Sequence, residues 1–220
     1  MTDLTHINGV IWDLDNTLYR FGDDFVDLCN RASAQTAIDM GLQLSFDEAY
    51  ELAGRSYREH SNSFGAFKKL GMEYTKFHHL FHDRVSFETI LVIDDLHKTV
   101  ESLPHKMVVL TNASRPWAQK ILKKTKLDSV FGDHNIVALE DVAFKAKSQG
   151  TDGFLLAKDR GGMTTMDNEE IIVVEDVAAN LIHAKNIHMA TALVHRPKTD
   201  DGHIDHHFDE VMDLCRSLKK

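Results

Sequence analysis

Cysteine and proline are scarce in this chain, with two of the first and three of the second in 220 residues. Cys29 and Cys215 stand far apart and offer no metal-ligand spacing. A disulfide framework and a cysteine-based zinc site are therefore not expected, and two free thiols in a reducing compartment are. Long apolar runs are missing too. The first, Val10-Ile11-Trp12, is far too short to cross a membrane, and no later run reaches the needed length. Residues Met1 to Asn8 have neither a basic start nor an apolar stretch, so no signal peptide is expected. These absences lead to the expectation of a soluble cytoplasmic protein with no membrane partner. Cationic excess is also absent, with 25 Lys plus Arg against 34 Asp plus Glu, a formal charge of −9. That balance argues against a nucleic acid polymer as partner. It leaves room for a small anionic substrate, because a metal ion and a few local cations can dominate one cleft. Internal repeats and low-complexity segments are not seen.

What is present is alternation. Four short apolar runs, several of them β-branched, read as buried parallel strands: Gly9 to Trp12, Met107 to Leu110, Ile171 to Val174 and Thr191 to Val194. Asn135 to Ala138 is a weaker fifth. Between them lie helical patterns. Pro116 to Lys126 follows a candidate N-cap at Ser114, Val177 to Asn186 follows the third run, and Phe208 to Leu218 reads as an amphipathic closing helix. Strands alternating with helices imply an α/β fold with a Rossmann-like parallel sheet. Residues 19–92 break the alternation. No convincing strand is found there, only helix-like segments: Asp24 to Met40, Ser45 to Tyr57 with a Ser45/Glu48 capping box, Gly65 to Leu70 and Tyr74 to Val85. The expected organisation is a core of residues 1–18 and 93–220 with a helical subdomain, 19–92, inserted after the first strand. Such an insert can act as a lid.

In open parallel sheets the site lies beyond the carboxyl ends of the strands. After the first run come Asp13 and Asp15, two carboxylates one residue apart that project to one side of an extended chain. Like charges held close need a cation or proton between them, and Mg²⁺ favours hard oxygen ligands. Asp13 could attack phosphorus, and Asp15 could protonate a leaving oxygen and later deprotonate water. After the second run come Thr111 and Asn112, where a hydroxyl and a helix start suit a phosphoryl oxygen. After the third come Glu175 and Asp176, which would complete a metal site. Lys145 and Lys147 lie between, and a lysine reaching the site would offset the carboxylates and hold the phosphoryl group.

In this order and placement, the chain resembles the haloacid dehalogenase superfamily of phosphohydrolases. Asp13-Leu14-Asp15-Asn16-Thr17-Leu18-Tyr19 is similar to its first motif, Leu110-Thr111-Asn112 to its second, and Val174 to Leu181 to its fourth. The resemblance implies a Rossmann-like core with a helical cap, and a Mg²⁺ held by Asp13, the backbone carbonyl of Asp15 and Asp176, with Glu175 nearby. The third motif departs from the family pattern, which commonly has Lys-Pro. Alignment puts Lys147 in the catalytic place, with Lys145 as the fallback. The segments Tyr57 to Phe64 and Leu80 to Asp83 are similar to pyrimidine 5′-nucleotidase-like members, although Ser61-Asn62-Ser63 replaces their usual run. On this reading Arg58 and His60 contact substrate from the cap, and Asn112 binds or orients it. Asn180 would support the fourth-motif loop from the following helix.

The expected function is hydrolysis of a small phosphorylated metabolite, such as a nucleoside 5′-monophosphate, by a monomer or homodimer. A phosphomutase shares both aspartates, and a non-catalytic member binding a nucleotide or a protein is a third reading. Dehalogenation needs no second aspartate, so Asp15 speaks against it. The histidines at 203, 206 and 207 are expected in a solvated loop or helix start rather than a zinc site. Trp12 and Trp117 are expected to serve packing.

Overall fold

Short β-branched runs bounded by turn residues pair most stably as central strands, covered on both faces by helices. The computed structural model, which describes residues 4–60 and 63–219, shows this arrangement. In chain order the elements are β1 (Gly9–Trp12), β2 (Arg20–Phe21), α1 (Phe25–Asp39), α2 (Phe46–His60), α3 (Gly65–Lys69), α4 (Tyr74–Arg84), β3 (Ile90–Leu91), α5 (Leu96–Glu101), β4 (Lys106–Leu110), α6 (Arg115–Thr125), β5 (Ile136–Val137), α7 (Asp152–Arg160), β6 (Ile171–Glu175), α8 (Ala178–Asn186), β7 (Ala190–Val194), β8 (His206–Phe208) and α9 (Val211–Leu218).

The chain divides into two compact units. The first comprises residues 1–20 and 92–220. Its six strands run in the order β5-β4-β1-β6-β7-β8, and every pairing is parallel. Ile11, Val108, Leu110, Val173 and Leu193 from the strands pack with Phe154, Ala157, Leu181 and Ala184 from α7 and α8 in one buried core. The α6 helix begins where the sequence suggests. Ser114 caps it through Oγ, which accepts from the Trp117 N–H at 3.4 Å, and Pro116 sits in its first turn.

The second unit, residues 21–91, is built from α1 to α4. Helix α2 opens with the Ser45/Glu48 capping box. Glu48 accepts from the Ser45 N–H at 2.8 Å, and Ser45 Oγ accepts from the Glu48 N–H at 3.3 Å. Stacked Phe67 and Phe77, both fully buried, anchor α3 to α4. This unit is not wholly free of strand, against expectation: β2 pairs with β3 in a two-stranded ribbon where the chain enters and leaves it. Two-residue strands carry no periodicity a sequence reading could detect.

One further element departs from expectation. His206–Phe208 is a strand, and the closing helix starts at Val211 rather than Phe208. This edge strand is only half-buried, so it lacks the continuous apolar run that marks β1 or β6. Among the described helices none is long and apolar enough to cross a membrane. Both cysteines are buried and outside any disulfide, and burial pushes the Cys215 thiol up to about 12.

Candidate active site

The register of the sheet brings the chemistry together. Trp12 lies level with Val109 on one side and Val174 on the other. The residues that follow these three positions therefore emerge at one end of adjacent central strands. The Asp13 N–H donates to the Val174 carbonyl at 2.9 Å, which extends the ladder by one bond.

Asp13, Glu175 and Asp176 form a buried carboxylate cluster whose ligand oxygens lie within 4.8 Å of one another. Lys147, itself only 4% exposed, reaches into it. Its Nζ donates to Asp13 Oδ1 at 2.5 Å and to the Leu110 carbonyl at 3.2 Å, and it pairs with Glu175. The Lys147 backbone N–H donates to Asn112 Oδ1 at 3.1 Å, so Asn112 holds the lysine's turn in place. Lys145 lies elsewhere, in an exposed pair with Asp152. Burial disfavours the charged lysine, but Asp13 and Glu175 outweigh it and hold the Lys147 ammonium charged well above its usual range.

The carboxylates differ in what their oxygens do. Glu175 is fully engaged: Oε1 accepts from Asn180 Nδ2 at 2.7 Å and pairs with Lys147, and Oε2 accepts from the Val177 N–H at 2.9 Å. Asn180 thus supports this loop from α8. The Asp176 carboxylate accepts on Oδ2, from Asn16 Nδ2 and from Arg196 Nη2, each at 2.8 Å. Among the described residues, Asp13 Oδ2 is buried with no hydrogen-bond partner. Burial, then the charges of Glu175, Asp176 and Asp15, push the Asp13 carboxyl well above the usual range, with Lys147 opposing. Burial and Glu175 raise Asp176 to about 6. A buried, unpartnered carboxylate oxygen beside a second carboxylate is the environment that a hard divalent cation satisfies, so the donor set fits Mg²⁺.

Asp15 does not share this cluster through its side chain. Its Oδ1 accepts from Tyr19 Oη at 2.7 Å and Trp117 Nε1 at 2.8 Å, and its Oδ2 accepts from Thr111 Oγ1 at 3.1 Å. Burial raises its pKa while these three donors hold it down. Thr111 Oγ1 also accepts from the Ala113 N–H at 2.9 Å, which bends the loop after β4. Trp117 is thus both a buried packing residue and a donor to Asp15.

Three neighbours of the cluster escaped the sequence reading as site residues. Asn16 adopts a left-handed backbone (φ 59°), which asparagine tolerates better than most residues, and so turns its amide onto Asp176. Tyr19 closes the first-motif loop onto Asp15. Arg196 binds Asp176 twice, from Nη2 to Oδ2 and from Nε to the backbone carbonyl at 3.0 Å. It follows the end of β7, so the rule of reading strand ends would have found it. Arg58 lies exposed on α2 of the other unit, and the His60 side chain lies outside the described residues. His203 Nε2 bonds the Ala178 carbonyl at 3.0 Å, and no histidine joins a metal-type cluster among the described residues.

A family model described as haloacid dehalogenase-like hydrolase matches residues 10–194. The chain belongs to this family. A glyceraldehyde 3-phosphate phosphatase of Methanocaldococcus jannaschii is 32% identical over 59 residues, covering 27% of this chain and 25% of the relative. A (DL)-glycerol-3-phosphatase of Arabidopsis thaliana is 28% identical over 109 residues, covering 50% and 44%. The chain therefore matches less than half the length of these relatives. Among solved structures, a dehalogenase with a bound intermediate superposes over 100% of both chains with a TM-score of 0.64 and 18% identity. At that identity the likeness concerns the fold alone.

Proposed function

We propose that this chain is a Mg²⁺-dependent phosphatase that hydrolyses a small phosphomonoester through an aspartyl-phosphate on Asp13. The observation that carries the reading is the unpartnered, buried Asp13 Oδ2 at the end of β1, flanked by Lys147 and the Asp176 carboxylate. The names of the two curated relatives, both phosphatases of small phosphorylated metabolites, support it.

Asp13, Asp176 and the Asp15 carbonyl would hold Mg²⁺, which supplies charge neutralisation for the carboxylates and the phosphoryl oxygens. The rest is done by side chains. An Asp13 carboxylate oxygen forms a bond to phosphorus as the ester P–O bond breaks, and Asp15 gives its proton to the departing alkoxide. Asp15, now ionised, takes a proton from water. The water oxygen bonds to phosphorus, the Asp13–phosphorus bond breaks, and inorganic phosphate leaves. Lys147 neutralises charge on Asp13 and the transferring group, and stays protonated throughout. Thr111 and Trp117 hold Asp15, and their bonds must loosen for the proton to travel.

The substrate in this proposal is a small phosphorylated metabolite. Nucleoside 5′-monophosphates are favoured by the likeness of the helical segment around Arg58 and His60 to nucleotidases, and these two residues are proposed to select it. The test is phosphate release from a panel of nucleoside monophosphates, glycerol phosphates and sugar phosphates, with Mg²⁺ or EDTA, using wild type and Asp13→Asn. Turnover that needs both Mg²⁺ and Asp13 is expected. Metal-independent turnover, or full activity in a folded Asp13→Asn protein, overturns the mechanism. Product analysis separates hydrolysis from transfer to a second hydroxyl.

A further inference from the structure

We infer that Arg196 is a built-in counter-cation that sets the divalent-metal affinity of the site, holding Asp176 in the metal-free protein and weakening Mg²⁺ binding. The inference rests on the magnesium reading above and concerns a residue that reading does not use.

The geometry is specific. Arg196 grips Asp176 at two points, through Nη2 to the carboxylate at 2.8 Å and through Nε to the backbone carbonyl at 3.0 Å. Two-point contact by the planar guanidinium fixes orientation as well as supplying charge. The Asp176 side chain is 5% exposed and that of Arg196 is 45% exposed. The cation therefore stands at the mouth of the cluster, with its carboxylate inside.

Charge balance gives the direction. Asp13, Glu175 and Asp176 crowd the strand ends, and among the described residues Lys147 and Arg196 are the cations paired with them. Lys147 is buried between Asp13 and Glu175. Arg196 neutralises the remaining carboxylate from the solvent side, and Asp176 is the residue expected to receive the metal. A divalent ion binding there meets a positive charge already in place, and the repulsion lowers its affinity. Asn16 also donates to Asp176 Oδ2 at 2.8 Å, so the carboxylate keeps one fixed partner without Arg196. Orientation and charge can thus be separated by substitution.

The experiment measures Mg²⁺ binding directly by titration calorimetry of EDTA-stripped protein, with Mn²⁺ paramagnetic resonance as a second readout. Wild type, Arg196→Gln and Arg196→Lys are compared at low and high salt. Glutamine can still donate to Asp176 but carries no charge. The expected result is a Mg²⁺ Kd roughly tenfold lower in Arg196→Gln, near wild type in Arg196→Lys, with the gap narrowing as salt rises, because the guanidinium is half exposed. Thermal melting gives an independent check by linkage. Arg196→Gln should melt below wild type in EDTA, and the difference should close in saturating Mg²⁺. Equal or weaker Mg²⁺ binding by a folded Arg196→Gln protein overturns the inference and leaves the phosphatase reading standing. A wild type that binds no Mg²⁺ overturns both.

Discussion

Lys147 is the residue on which the cluster's balance turns, and removing it gives a quantitative test. Its ammonium is almost fully buried and pairs with Asp13 and Glu175. Deleting one partner of a buried ion pair leaves an uncompensated charge and costs about 3–5 kcal/mol. Native domains have about 5–15 kcal/mol in total. A chain of this size loses about 2–4 °C of melting temperature per kcal/mol, so Lys147→Ala should lower its midpoint by on the order of 10 °C. The loss has a built-in limit, because Asp13 can take up a proton instead of remaining a bare carboxylate. The deficit should therefore be smaller near pH 5 than near pH 8. Lys147→Met retains most of the side-chain volume and isolates charge from cavity. Turnover should fall by roughly 10²–10³-fold, the usual consequence of losing one preorganised charge at a transferring group. Lys145→Ala breaks only the exposed pair with Asp152 and should change neither quantity appreciably. Denaturant unfolding in EDTA and phosphate release on the best substrate measure both. An equal or larger loss of activity in Lys145→Ala, or a Lys147→Met protein more stable than wild type at both pH values, would refute the reasoning.

Two further outcomes follow from the same geometry. Trp117→Phe removes one of the two donors to Asp15 Oδ1. The lost bond holds the Asp15 carboxyl down, so the alkaline limb of kcat/KM should move to higher pH, and an unchanged limb would show that Asp15 is not the acid. The second concerns stability without metal. The Asp176 carboxyl stands near 6 in the folded protein against an ordinary 3.8, and Asp13 is raised in the same direction. The folded form thus keeps protons that the unfolded chain has lost. The stability contribution is complete below the ordinary carboxylate range and disappears as pH rises through about 6. Relative to Asp176→Asn, which lacks the titrating carboxyl, the wild-type melting midpoint in EDTA should fall between about pH 4 and about pH 7, and Mg²⁺ should flatten that slope. A wild-type midpoint that rises relative to Asp176→Asn over this range contradicts the assignment.

The sheet-bearing unit was legible because its strands are buried on both faces. Gly9 to Trp12 and Ile171 to Val174 contain no polar residue to hide them, and each is followed at once by acidic residues. The rule that sites gather at strand ends then located Asp13, Thr111 and the Glu175-Asp176 pair from order alone. What the sequence hid was lateral. The strand His206–Phe208 has three half-buried residues and reads in the sequence as a loop or helix start running into the closing helix. Trp117 looked like packing, and it does pack, but an indole N–H has a direction that hydrophobic periodicity does not carry. Asn16 sits in the site because of its backbone conformation, not its neighbours in sequence. Arg196 comes just after β7, and its pairing with Asp176 spans 20 residues, a separation that no local pattern signals.

The account stands on Asp13 as the covalent carrier of phosphate. The most direct measurement is to mix enzyme, Mg²⁺ and the best substrate, quench within one turnover, reduce with borohydride and map the peptides by mass spectrometry. Reduction of an aspartyl-phosphate yields homoserine, and the account predicts homoserine at position 13 in wild type and none in Asp13→Asn. Phosphate release at full rate with no modified residue at position 13, or with the modification at another carboxylate, would contradict it.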